Sequence, residues 1–164
     1  MMNHQTILAI DPGLRDLGRA VLCGRRLIDA GVETFRFVPR PQRHAAVLKT
    51  VRTCIDRFRP SVLVLEATTG DHEPPFPALR RLERSLKSLA ARRGLPCVLY
   101  PAQAPRKTLL GNGWAGKYDV AVAVAARYPT LRIHLKQHRA WKERYWHNLF
   151  DAVALGLHHR AHAS

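Results

Sequence analysis

The order in which strand-like and helix-like segments follow one another constrains the fold most. Three apolar segments of strand length come first, at residues 5–10, 17–23 and 27–37, and short turns separate them. From residue 41 a helical period runs to Pro60, a continuous apolar run covers 61–66, a second helical period ends at Gly94, and a strand follows at 96–100. We therefore predict an α/β fold, a mixed five-stranded sheet with three antiparallel strands and then two parallel ones, flanked by helices.

The rest of the chain predicts two more helices. The leucine stripe of the helix before Gly94 has two possible packing partners. A helix is predicted over residues 118–128, and a last helix ends near His159. The leucines of the helix before Gly94 recur by threes and fours, so they either pack on the sheet, which is the default, or meet the same helix of a second subunit. The length of 164 residues fits one domain spanning 1–164.

The charge of the chain indicates a polyanionic partner. Lysine and arginine number 27 against 12 aspartate and glutamate, and the net charge of +15 is spread along the chain. We expect this partner to be nucleic acid. The three separated cysteines are interpreted as reduced core thiols, and the histidines at 158, 159 and 162 as an exposed, frayed chain end. No membrane span or leader is evident, so we expect a cytoplasmic, nucleoid-associated location, or the host cytoplasm for a phage-encoded protein.

Acidic residues are few in this basic chain, and two of them end strands. Asp11 follows the strand at 7–10, and Glu66 follows the apolar run at 62–65. Parallel neighbouring strands would bring both carboxylates to one edge of the sheet, where ligand sites of open α/β sheets form. Each has an ordinary explanation by itself, a turn residue for Asp11 and a solvent-facing strand end for Glu66. Two like charges held together instead suit a divalent cation such as Mg²⁺.

A third acidic residue lies in the apolar C-terminal helix. Asp151 is followed by Ala-Val-Ala-Leu-Gly-Leu, and His147 stands one helical turn before it on the same face. Buried carboxylates are rare unless they are paired, hydrogen-bonded or bound to a metal. The competing explanation is structural, because Asn148 could cap the helix and leave Asp151 in its first turn.

Four motifs in order carry a resemblance to a known family. They are Ile-Asp11-Pro-Gly, Leu-Glu66, the segment from Lys107 to Lys117 with its Gly-x-Gly turn, and His-Asn-x-x-Asp151-Ala-x-Ala-Leu. Together they resemble the RuvC family of Holliday-junction resolvases, which has the ribonuclease-H-like fold. The resemblance covers essentially the whole chain.

The resemblance implies a homodimeric, Mg²⁺-dependent endonuclease that resolves four-way DNA junctions by paired, symmetric cuts in recombination, repair or phage DNA processing. It implies two Mg²⁺ ions per active site, replaceable by Mn²⁺, and a two-metal mechanism. Asp11, Glu66 and Asp151 match the family's metal ligands, with Asp11 between the ions. The family usually places its fourth ligand three residues before the last aspartate, at Asn148 here, but we assign this role to His147. A branch-migration helicase is a possible partner.

The resemblance also implies contacts with DNA. Lys117 and Lys107 would offset negative charge at the cleaved phosphate. The basic helix that carries Arg80, Arg81 and Arg84, together with residues 132–144, would contact further phosphates. The family often carries an aromatic wedge directly after the glutamate motif, and this chain lacks it there. Phe76 is the nearby candidate for that role.

Three other functions stay open at this point. A non-catalytic branched-DNA-binding module would share the basic charge, but it would not need three acidic residues facing a polyanion. A ribonuclease-H-like nuclease could instead act on an RNA–DNA hybrid or on structured RNA. The YqgF-like branch of the fold has a similar opening motif, although its usual start is richer in glycine and the Lys117 segment fits it less well.

Overall fold

The computed structural model describes residues 4–68, 76–135 and 140–163, and for residues 140–144 it gives the backbone. One sheet contains the strands β1 (Thr6–Asp11), β2 (Asp16–Cys23), β3 (Arg26–Thr34), β4 (Val62–Glu66) and β5 (Cys97–Tyr100), in the order β3-β2-β1-β4-β5. Strand β2 pairs antiparallel with both β1 and β3, whereas β4 pairs parallel with both β1 and β5. The predicted mixed sheet of three antiparallel and two parallel strands is confirmed.

Five α-helices and one short 3₁₀ helix accompany the sheet within the described residues. They are α1 (Arg40–Phe58), α2 (Pro77–Arg92), α3 (Gln103–Leu110), α4 (Lys117–Arg127), the 3₁₀ helix (Pro129–His134) and α5 (Ala140–His162). Helix α1 ends where Pro60 predicts, with Arg59 as a left-handed cap. Strand β3 stops at Thr34, three residues earlier than predicted. Helix α3 is missing from the prediction because eight residues that include Pro105 carry too short a helical period.

Successive side chains along each strand point to opposite faces of the sheet, and this divides the core into two layers. In β1, Leu8 and Ile10 pack with α1 and α2, whereas Ile7 and Ala9 pack with α4 and α5. The period of two continues this alternation, so Asp11 falls on the side of α5. The same alternation in β4, after Val62 and Val64, places Glu66 on that side as well.

Helix α2 is a surface helix with one buried stripe. Leu82 and Leu86 are fully buried and Leu89 is nearly so, because all three pack on the sheet. Packing on the sheet, the default prediction, is therefore confirmed for this stripe, and contact of the same leucines with a second subunit is wrong. Each fully buried leucine contributes roughly 1.5–3 kcal/mol. The basic residues Arg80, Arg81, Arg84 and Lys87 are exposed.

Helix α5 crosses the opposite face of the sheet from β3 to β5. The hydroxyl of Tyr145 donates to the carbonyl oxygen of Val32 at 3.0 Å, which joins the early part of the helix to β3. At β2, a Cβ on Gly18 would stand 1.9 Å from the carbonyl oxygen of Asn148, so glycine alone allows the helix to come this close. Because Gly18 pairs with Asp11, this contact sets the middle of α5 beside the end of β1.

The end of α5 is packed, and the expectation of a frayed chain end is wrong for two of its three histidines. His158 and His159 are 7% and 5% exposed. The Nδ1 atom of His158 lies 2.6 Å from Thr108 Oγ1 on α3, and that of His159 lies 3.0 Å from the Tyr100 hydroxyl on β5. These contacts tie the end of α5 to two other elements.

Two smaller predictions concern the cysteines and the membrane. Cys23, Cys54 and Cys97 are free thiols, as predicted, and Cys54 is buried. In the part of the chain that the structure describes, no helix has the length and apolar character needed to cross a membrane.

Candidate active site

Asp11, Glu66 and Asp151 approach one another where β1 and β4 end beneath the middle of α5. Ile10 pairs with Leu65 in the parallel ladder, so the next residues, Asp11 and Glu66, end neighbouring strands side by side. The charge of Asp151 acts on both of these carboxyl groups. The structure thus brings the three predicted acidic residues to one edge of the sheet, although they are 55 and 85 residues apart along the chain.

Burial raises the pKa of all three carboxyl groups, and repulsion from neighbouring carboxylates adds to it for Asp11 and Glu66. Burial is the larger cause for Asp11, and repulsion from Glu66 and Asp151 adds to it, so its pKa lies well above the usual range. Burial and the charge of Asp151 raise the pKa of Glu66 to about 7. The pKa of Asp151 is raised by burial as well. A cluster of acids perturbed in this way is typical of a functional site.

Two basic side chains carry positive charge to this cluster. Lys117, at the start of α4, places its Nζ 3.7 Å from Asp151 Oδ2. Its side chain is 55% exposed, whereas that of Asp151 is 11% exposed. The half-buried Arg106 of α3 also acts on the cluster, because its charge lowers the pKa of all three carboxyl groups.

Arg106 is a residue that sequence reasoning missed. The motif match selected Lys107, the next residue, but Lys107 is exposed on α3. One residue along a helix turns the side chain by about 100°, and a match between segments does not fix that rotation. Arg106, rather than Lys107, is therefore the α3 residue whose charge acts on the carboxyl groups. Lys107 stays a predicted DNA contact.

His147 and Asn148 both lie in the interior of α5, which begins at Ala140. The proposal that Asn148 caps this helix is therefore wrong. His147 is one turn before Asp151, as predicted, and its charge lowers the pKa of that carboxyl group. Asn148 contributes its backbone carbonyl to the close contact with Gly18.

The donor atoms at this edge of the sheet fit Mg²⁺ by their chemistry. Mg²⁺ binds one or a few carboxylates and keeps waters and substrate phosphates as its other ligands. Within residues 4–68, 76–135 and 140–163, no group of three or more His, Cys, Asp or Glu side chains is arranged so that it could hold a metal ion. The carboxylates are therefore gathered at this edge without a preformed coordination shell.

The predicted DNA contacts lie partly within the described residues. Arg80, Arg81 and Arg84 are exposed on α2, and Arg132 is exposed on the 3₁₀ helix. Phe76, directly before α2, is 60% exposed. The predicted contacts at 136–139 and the side chains at 140–144 lie outside the described residues, as do residues 69–75 after the glutamate motif.

Comparison with known proteins gives a family match over most of the chain. A family model described as crossover junction endodeoxyribonuclease RuvC matches residues 7–159. A curated protein of that name from Xanthobacter autotrophicus is 30% identical over 134 residues, which cover 78% of this chain and 79% of the relative. Another from a Nocardioides species is 28% identical over 160 residues, covering 93% of this chain and 85% of the relative.

Solved structures share the fold. The structure of T. thermophilus RuvC in complex with a Holliday junction substrate superposes with a TM-score of 0.75 at 24% identity, covering 98% of this chain and 95% of that one. The Fowlpox virus resolvase in complex with Holliday junction DNA has a TM-score of 0.61 at 13% identity, with 95% and 97% covered. At these identities the matches show a common fold.

Proposed function

The chain belongs to the RuvC family of crossover junction endodeoxyribonucleases, and from this membership we propose that it resolves four-way DNA junctions by paired, symmetric hydrolysis of phosphodiester bonds. The observation that carries the proposal is the convergence of Asp11, Glu66 and Asp151 in a chain with a net charge of +15. A protein that only bound DNA would weaken its own binding by placing three carboxylates where phosphates approach.

The proposal includes Mg²⁺ as the cofactor, two ions per active site, with Mn²⁺ as a substitute. Asp11, Glu66 and Asp151 would hold the ions, and His147 would supply the fourth ligand in preference to Asn148. When bound, such ions activate a water molecule for in-line attack and stabilise the leaving oxygen.

The basic residues have separate tasks in this proposal. Lys117 is half exposed beside Asp151, so its ammonium can reach a phosphate at the mouth of the site and offset the charge that develops there. Arg106 would hold the same phosphate from α3 with a planar group that suits two phosphate oxygens. The exposed Arg80, Arg81 and Arg84 would bind the backbone of a junction arm, and Lys107 would add a contact.

Paired cuts also need two active sites. We propose a two-fold symmetric homodimer, since a junction with two opposed strands to be cut presents its own two-fold symmetry. We also propose that a branch-migration helicase delivers the junction to the protein. Its location would be the cytoplasm near the nucleoid, or the host cytoplasm for a phage-encoded protein. Sedimentation on junction DNA tests the dimer, and a single chain per junction would contradict it.

The experiment that tests the function is cleavage of a synthetic four-way junction by the full-length chain with Mg²⁺. We expect symmetric cuts on opposed strands that leave ligatable nicks, and we expect Asp11→Asn to bind the junction without cutting. Equal cleavage of linear duplex or of an RNA–DNA hybrid would contradict junction resolution. Junction binding without any cleavage would instead favour the non-catalytic module.

A further inference from the structure

Two large aromatic side chains are exposed on the segment that carries Lys117. Trp114 is 77% exposed and Tyr118 is 63% exposed. They flank Lys117, whose ammonium lies 3.7 Å from Asp151. Because consecutive Cα atoms are about 3.8 Å apart, the Cα of Trp114 lies within about 11 Å of that of Lys117. Whatever covers these rings therefore lies against the same loop and helix start that present Lys117.

A small depression brings Tyr118 next to residues of α5. Tyr118 and His147 both line it, and Trp146 and His134 form part of its wall. The rings of His134 and Trp146 stack at 3.8 Å between centroids, so this wall is fixed by its own contacts. Tyr118 thus lies against α5, the helix that carries Asp151.

The loop that presents Trp114 is held in place. Gly111 ends α3 with a φ of +70°, in the left-handed region that glycine adopts without strain. The side-chain oxygen of Asn112 accepts a hydrogen bond from the backbone N–H of Trp114 at 3.0 Å, and Ala115 is buried. Trp114 is therefore exposed on an ordered loop. Because the loop is already ordered, it loses little conformational freedom when a partner binds.

We propose that Trp114 and Tyr118 form a stacking shelf for DNA bases that leave the helical stack next to the cleaved phosphate, an inference that rests on the proposed function. Exposed aromatic rings interleaved with basic side chains are the arrangement with which proteins hold unpaired bases. Lys117 and Arg106 would fix the phosphate, and the two rings would receive the neighbouring bases. Phe76 is the competing aromatic candidate in this chain.

The experiment uses four-way junctions that carry 5-iodouracil at single positions around the cut site, bound to the full-length Asp11→Asn protein. Long-wavelength irradiation couples iodouracil to an aromatic ring stacked on it, and mass spectrometry locates the coupled residue. We expect the label next to the cut to couple to Trp114 or Tyr118. Coupling to Phe76 alone, or to neither ring of the shelf, would overturn the proposal.

Affinity measurements add a second readout. We expect Trp114→Leu combined with Tyr118→Leu to weaken junction binding roughly tenfold or more, while binding to linear duplex changes less than about twofold. Phenylalanine at both positions keeps a ring and should restore most of the affinity. Ile28→Ala removes another exposed apolar side chain, on β3, and should change neither affinity. Full junction affinity in the leucine variant would overturn the shelf.

Cleavage assays with the wild-type chain and with the double leucine variant distinguish a failure of the shelf from a failure of the proposed function. If the wild-type chain resolves junctions and the double leucine variant resolves and binds them equally well, the shelf alone is wrong. If the wild-type chain does not cut four-way junctions, the proposed function fails, and the shelf fails with it.

Discussion

Two largely buried carboxyl groups on opposite faces of the sheet, Asp151 on α5 and Glu83 on α2, have pKa values shifted in opposite directions. Their side chains are 11% and 15% exposed, and burial works to raise the pKa of both. At Glu83, the N–H and hydroxyl of Thr68 donate hydrogen bonds at 2.9 and 2.7 Å. Together with Lys87 they outweigh burial, so the pKa of Glu83 lies below its usual value. At Asp151, Lys117 and the other basic groups do not outweigh burial, and its pKa is raised.

The difference separates a carboxylate whose charge the fold compensates from one whose charge the fold leaves largely uncompensated. Glu83 has backbone and side-chain donors that compensate its charge, and these contacts join α2 to Thr68, the second residue after β4. Asp151 faces two other carboxyl groups, which is unfavourable for folding by itself. Such an arrangement is expected where a substrate or cation later supplies the missing positive charge.

The largest expected effect is on catalysis. Asp151→Asn should reduce junction cleavage by roughly a thousandfold or more, about 4 kcal/mol in the barrier, because a charged group at the reacting phosphate is lost. The matched change Glu83→Gln should leave the cleavage rate within a few-fold. Single-turnover cleavage of a labelled junction measures both. Comparable losses in the two variants would break the distinction between the two carboxylates.

The second effect is on stability without divalent cations. Glu66 has a pKa of about 7 in the folded chain against 4.5 ordinarily, so the folded state holds the proton more tightly. Its contribution to stability is therefore full below pH 4.5 and is lost as the pH rises to about 7, on the order of 3 kcal/mol. Urea unfolding in chelator at pH 5 and pH 8 measures this loss. Glu66→Gln should reduce the pH dependence by about this amount, and the raised pKa values of Asp11 and Asp151 should supply what remains. Glu83→Gln should leave the pH dependence unchanged, since the lowered pKa of Glu83 places its titration below this range.

The third effect concerns the fourth metal ligand. His147→Ala should lower cleavage by roughly 10- to 100-fold, whereas Asn148→Ala should change it only a few-fold, because the contact that Asn148 makes with Gly18 uses its backbone. Mg²⁺ titrations of cleavage by the two variants measure this, and His147→Ala should also need more Mg²⁺. If the Asn148 variant alone lost cleavage, the assignment of His147 would be wrong.

The smallest expected effect is on packing. Gly18→Ala adds a methyl group where the carbonyl oxygen of Asn148 already lies, so α5 must move away from the end of β1. We expect a loss of about 1–3 kcal/mol in the free energy of unfolding, with slower cleavage because Asp151 moves with the helix. Denaturant unfolding and cleavage rates measure the two effects. Unchanged values for both would show that this close contact does not position α5.

Helices, strands and their buried faces could be predicted from the sequence where a local pattern of apolar residues determines them. The leucine period of α2 shows directly which side is buried, and the strand ends at Asp11 and Glu66 follow from two apolar runs. Features that depend on three-dimensional packing could not be predicted this way. The rotation of α3 selects Arg106 over Lys107, and the burial of His158 depends on Thr108, fifty residues away.

The most direct test of the central claim is to count the divalent cations that the carboxylate cluster binds. Mn²⁺ is titrated into the full-length chain with four-way junction DNA, and electron paramagnetic resonance measures the free ion. We predict two saturable sites per chain for the wild type and for Glu83→Gln, and the loss of tight binding in Asp11→Asn. Equal Mn²⁺ binding by Asp11→Asn and the wild type, or no saturable binding by either, would contradict the account.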